Sequence, residues 1–203
     1  AGTQGTSISL VGAQLSAHNA NLHATAGEVD ASRSTLSAQE SLAVRTAHTL
    51  RTDGASLSAQ QLQLSAASLS NIGGEILQTG TTDLNMGVLG DLDNRGGRIA
   101  SNSTNLGLGA QTLNNTDGRI EHAGAGTLAI TATTLEGARG QITGNGTLSL
   151  VANQVNHDGA STQAQHINIQ VEHLSNRAGE ILQTGTQATQ IHSSGDIANQ
   201  GGT

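Results

Sequence analysis

His18 and His23 stand five residues apart at the head of a chain that holds eight histidines and no cysteine. A zinc site legible in sequence needs Cys–His or H-E-x-x-H spacing, because two ligands must leave the same face of one element. Neither spacing occurs. His122, His157, His166, His173 and His192 fall at unrelated positions and are expected to be polar surface groups. Serine, histidine and aspartate are plentiful, yet no G-x-S-x-G elbow presents a nucleophile. The fifteen Asp and Glu scatter instead of pairing, and the chain has no aromatic residue on which a sugar ring could stack. An enzyme, including a carbohydrate-active β-helix, is disfavoured. No catalytic, cofactor-binding or metal-ligating residue is assigned, and no cofactor is expected.

Other classes fall on composition. The net charge is −7 and the eight basic residues, all arginine, are dispersed, so the phosphate neutralisation that a nucleic-acid partner requires is missing. No run of 18 apolar residues exists, and no membrane span is expected. "GGEI", "GGRI" and "DGRI" do not continue into the nonapeptide of a calcium-binding β-roll. Thr79, Thr81, Thr127 and Thr147 sit in stretches of unequal length, read as loops, which do not build a regular threonine array. The sequence opens in mid-pattern at Ala1-Gly2-Thr3 without a signal peptide, and is expected to be a fragment of something longer.

The elements that carry these residues are repeats. The octapeptide GEILQTGT occurs at 74–81 and again at 179–186. An apolar anchor recurs as Leu50, Leu69, Leu92, Leu113, Leu135, Val155, Leu174 and Ile197, at steps of 19, 23, 21, 22, 20, 19 and 23 residues. Seven residues after the anchor stands a second apolar residue (Leu57, Ile76, Ile99, Ile120, Ile142 and Ile181), with Thr162 departing from the rule. A third element is an apolar-x-apolar pair, from Leu62/Leu64 to Ile167/Ile169. Val29, Leu36 and Leu42/Val44 obey the same scheme, and Ile8/Leu10, Leu15 and Leu22 follow it less regularly. The two octapeptides are therefore one phase of a series, five repeats apart.

Alternation with β-branched residues and frequent glycine specifies short strands, and a period near 20 residues specifies one coil of a solenoid. The fold class is all-β: a parallel β-helix of about ten coils, roughly 20 residues each, on the order of 45–50 Å long at the strand-pairing distance. Residues 1–203 form a single repeat domain, with less regular coils over 1–28 and regular ones over 29–203. The second position after the anchor reads Thr52, Asn71, Asn94, Asn115, Gly137, His157, Asn176 and Asn199, suited to amides bonded from coil to coil. The fifth position is glycine except at Ala55 and Ala160, for positive φ or close backbone approach. Phase alignment sets Glu75 beside Arg98, Asp117 beside Arg139 and Asp158 beside Arg177, a threefold test of register.

"LSNIGGEI", "LDNRGGRI", "LNNTDGRI", "LSNRAGEI" and the truncated "IANQGG", together with "GTLAI" and "GTLSL", resemble the central repeats of bacterial filamentous haemagglutinins and contact-dependent growth-inhibition exoproteins. The resemblance covers roughly 29–203, and it implies a right-handed parallel β-helical shaft. It further implies secretion to the bacterial surface through an outer-membrane two-partner secretion transporter. The function implied is shaft repeats of an adhesin that mediate or support cell attachment to a host-cell or bacterial receptor. The alternative is the shaft of a contact-dependent growth-inhibition protein that delivers a toxin.

Overall fold

Leu, Ile and Val alternating with small polar residues can be buried only in short strands whose neighbours supply the other walls. The computed structural model describes residues 6–203, and its regular structure there consists of strands alone, from Ile8–Ser9 to Ile197–Ala198. Every strand pairing is parallel and joins the same phase of successive coils. The chain makes nine turns of about 21 residues, each placing a strand on three faces. At roughly 4.8 Å per turn the rod is about 43 Å long.

The anchors stack on the first face in one unbroken line: Ile8, Val29, Leu50, Leu69, Leu92, Leu113, Leu135, Val155, Leu174 and Ile197. Ile8 is thus itself an anchor, and the first coil obeys the common register apart from a shift between Ala17 and Asn19. The second face runs from Leu15 to Ile181, with Thr162 in its place between Ile142 and Ile181. The stretch at 144–147, read from sequence as a loop, is absorbed into a strand, whereas 124–126 stay outside the strands as read. Thr127 pairs with Thr147, and Gln141–Asn156 runs through all three faces, with a register shift between Gly144 and Thr147.

The third face is interrupted once. Strand Gln61–Ser65 pairs only with Thr35–Thr46, and Leu84–Gly87 only with Leu106–Asn114, so no register joins the two. The long corner at 79–83 separates them, and the octapeptide repairs the damage. Its glutamine, Gln78, is fully buried, and its Oε1 accepts the Leu62 N–H at 2.9 Å while its amide donates back to the corner at Thr82 O. In the second copy Gln183 accepts the Ile167 N–H at 2.8 Å and donates to Gln187 O. The repeated phrase therefore encodes a glutamine that satisfies a third-face backbone donor beside a lengthened corner, whether the ladder is broken there, as after Gln78, or resumes, as after Gln183.

At the second position the amides do bond coil to coil. Asn71 Nδ2 donates to Asn94 Oδ1, and Asn94 Nδ2 to Asn115 Oδ1, each at 2.7 Å. Thr52 Oγ1 starts this run with a bond to Asn71 Oδ1 at 2.9 Å. All four side chains are buried. Positive φ falls one residue earlier than the glycine at the fifth position. It occurs at the fourth position after each of the ten anchors: Gly12, Arg33, Gly54, Gly73, Gly96, Asp117, Arg139, Gly159, Ala178 and Gly201, with φ between 51° and 68°. The glycine at the fifth position serves close approach instead: at Gly97 or Gly118 an added methyl would overlap the carbonyl oxygen of Asn71 or Asn94 in the preceding coil.

All three charge alignments are present. Arg98 bonds Glu75 and, at 2.6 Å, Glu121, while Arg139 makes a two-pronged contact with Asp117 at 2.7 and 2.8 Å. Arg177 lies 3.6 Å from Asp158. These pairs are exposed and contribute little to stability. Their concordance fixes the register.

Asn94→Ala leaves two buried amides short of a partner, and is expected to lower unfolding stability by about 2–3 kcal/mol. Urea denaturation followed by far-ultraviolet circular dichroism measures this, and an unchanged midpoint would show the ladder to be energetically idle. Ala178→Gly relieves a left-handed conformation at an exposed corner and is expected to raise stability by about 0.5–1 kcal/mol in the same assay.

Candidate functional site

Two histidines expected at the surface are interior. His157 is 5% exposed and His122 is 2% exposed. His157 occupies the second position, where it replaces asparagine. Its Nδ1 lies 2.6 Å from Asn176 Oδ1 and its Nε2 lies 2.8 Å from Thr162 Oγ1. An amide oxygen only accepts, so Nδ1 carries the proton and Nε2 accepts from the threonine hydroxyl. Thr162, the departure from the apolar rule, is the buried partner that this imidazole requires. Asn176 Nδ2 then donates to Asn199 Oδ1 at 2.7 Å and continues the ladder. His122 stands between Ser101 and Gly144 on the second face and donates through Nε2 to Ser103 O at 2.9 Å. The shape of a coil interior, not a reaction, places both.

The imidazoles do not gather. His18, His23, His48 and His192 are exposed, and His166 and His173 are half-buried. His18 lies 3.2 Å from Glu40 and 3.0 Å from Gln39, and the hydrogen bond to Gln39, together with the Glu40 charge, raises its pKa. Among the described residues no group of three or more His, Asp or Glu is placed to hold a metal ion. Several carboxylates face arginines or hydroxyls instead of one another. Ser175 and then Arg177 hold Asp158 below the usual carboxylate range, and Arg139 does the same to Asp117.

The outer surface carries shallow crevices. One of about 640 Å³ lies beside the broken third face, lined by Asn19, Glu40, Ser41, Gln61, Thr79 and Thr82. Another of about 450 Å³ crosses the first face between Glu136, Asp158, His173, Arg177 and Asp196. The first offers amides, hydroxyls and the one carboxylate of Glu40, and the second sets three carboxylates around Arg177 and His173. In the second the Ser175 hydroxyl donates to Asp158 at 2.6 Å and is not bonded to His173. Sequence reading missed the glutamine staple and the buried histidine. The signals were a glutamine at one phase of both octapeptides, and a polar residue at the seventh position of the same coil that carries histidine at the second.

Burial disfavours the imidazolium form of His157 and lowers its pKa, the Asn176 bond and the Asp158 charge opposing. The unfolded chain takes up this proton below about pH 6.5, whereas the folded chain resists until lower pH. The contribution is therefore complete above that value and is lost as pH falls through the window beneath it. His18 works in the opposite sense, so comparison with a variant isolates the effect. His157→Asn keeps a donor for Asn176 and is expected to lose less stability between pH 7.5 and pH 5 than the parent in urea unfolding. Equal losses would contradict the assignment.

No family model matches the chain, and no solved structure matches it. Among curated proteins it is 34% identical to Toxin CdiA of Yersinia pestis over 192 residues, 88% of this chain. The chain spans only 6% of that relative's length. The similarity runs through nearly all of the solenoid, and the fold fits the repeats that the motifs predict. Over 88% of its length the chain is thus similar to a contact-dependent growth-inhibition exoprotein, and its solenoid fits the repeat region of the filamentous haemagglutinin and CdiA type.

Proposed function

We propose that this chain is a segment of shaft: a stiff spacer that holds the working parts of a secreted, surface-displayed bacterial exoprotein away from the cell. The carrying observation is the first-face ladder, ten anchors in one register with no break. A surface without aromatic residues, whose arginines lie largely beside carboxylates, supports a passive role, because binding hot spots draw on Trp, Tyr and free Arg. The segment does no chemistry of its own in this reading. The whole exoprotein leaves the cell through an outer-membrane two-partner secretion transporter.

Two tasks suit such a shaft: supporting attachment to another cell, or carrying a toxin to it. The name of the relative, Toxin CdiA, favours delivery. The test is direct binding of the fluorescently tagged chain to epithelial cells and to bacterial cells. A spacer shows no saturable binding to either. Saturable binding to epithelial cells would place an adhesive site on these coils, and saturable binding to bacteria would place a recognition site for the target of delivery here. Either result would overturn the passive role.

A further inference from the structure

Glycine at the fifth position is not chosen by its own coil alone, although a methyl at Gly97 or Gly118 would also meet Oδ1 of Asn94 or Asn115 in the same coil. Thr52 shares a coil with Ala55, Gly137 with Gly140 and His157 with Ala160, so a polar second position is found with either residue. The coil before it gives a consistent answer. Thr52, Asn71, Asn94, Asn115, His157 and Asn176 are followed one coil later by Gly74, Gly97, Gly118, Gly140, Gly179 and Gly202. Leu10, Ala31 and Gly137, which offer no polar side chain, are followed by Ser34, Ala55 and Ala160. The nine junctions contain no exception.

The geometry explains the pairing. Asn71, Asn94 and Asn115 each send Nδ2 across the junction to the main-chain oxygen at the sixth position of the next coil: Arg98 at 3.4 Å, Arg119 at 3.2 Å and Gln141 at 3.2 Å. The next turn sits close on the second residue beneath it, above Thr52 and His157 as well as above the asparagines. Its fifth residue then sits so close that a methyl at Gly97, Gly118 or Gly140 would overlap the carbonyl oxygen of the asparagine beneath. Where the second position is Gly137, that bond is missing, and Ala160 is accommodated and buried.

We infer that the second residue of each coil and the fifth residue of the next form a matching code that decides which coils can be neighbours. A polar side chain below demands glycine above, whereas an apolar or absent side chain accepts a Cβ. Each coil end is an interaction surface, and the partner it fits is a coil carrying the complementary residue. Nothing in this inference depends on whether the shaft serves attachment or delivery.

A reciprocal substitution at the one glycine-to-alanine junction tests it. Gly137→Asn alone places an asparagine beneath Ala160 and is expected to lower the melting midpoint by about 4–8 °C, read by far-ultraviolet circular dichroism. Gly137→Asn with Ala160→Gly lets that amide join Asn115 to His157, and is expected to return the midpoint to the parent value or above. The second cycle is Gly118→Ala, expected to be harmful beside Asn94 and less so in the Asn94→Ala background. Losses that simply add in both cycles would overturn the code, because independent sites are additive and coupled ones are not. If Gly137→Asn alone fails to fold, recovery of the fold in the double variant still supports it, and failure of both variants overturns it.

Discussion

A hydrogen bond between asparagine side chains one coil apart sets the terms for the rest of this molecule. Inside a narrow solenoid an amide is cut off from water, and leaving it unpaired is more unfavourable than never having placed it there. The bond at 2.7 Å between Asn71 and Asn94, and again between Asn94 and Asn115, therefore tolerates no slip of one coil against the next. Once that spacing is held, the aliphatic anchors fall into line. The tight turn receives its left-handed residue at the fourth position, and the surface charges meet their opposites.

Departures from the pattern are compensated locally. Histidine at the second position comes with threonine at the seventh, so that both imidazole nitrogens are used. An elongated corner comes with a glutamine, buried at Gln78 and half-buried at Gln183, that takes over the stranded backbone N–H. Glycine at the second position comes with alanine one coil on. The chain has no second layer of structure to absorb errors, so a polar change inside one coil requires an answer within that coil or in its neighbour.

Much of this was legible in the residues. The spacing of Leu50, Leu69, Leu92 and their successors fixed the coils, because a ladder in register leaves a period that survives insertions elsewhere. The ion pairs followed from the same phase. The first coil was harder to read: Ile8 looks like half of an Ile8/Leu10 pair, and only pairing with Val29 marks it as an anchor. The fifth-position glycine left positive φ and close approach both open, because glycine is common at the fourth and fifth positions; close approach holds at the fifth and positive φ at the fourth. The buried histidines escaped for another reason. Polarity predicts exposure, and that expectation fails when a neighbouring coil supplies the missing hydrogen bond. With no constellation in the sequence to assign as a site, the geometry had only shallow crevices to add.

The interruption of the third face has a mechanical consequence. Strands in this rod lie across its long axis, so pulling on the ends loads the inter-coil bonds as a zipper is loaded, one tooth after another, and does not shear a whole sheet at once. Between Gln61–Ser65 and Leu84–Gly87 the rod is laced on two sides only. Its bending stiffness there is directional. A sideways force that opens the unlaced side meets the least resistance, while the anchors Leu69 and Leu92 on the first face act as the hinge line about which the two halves fold.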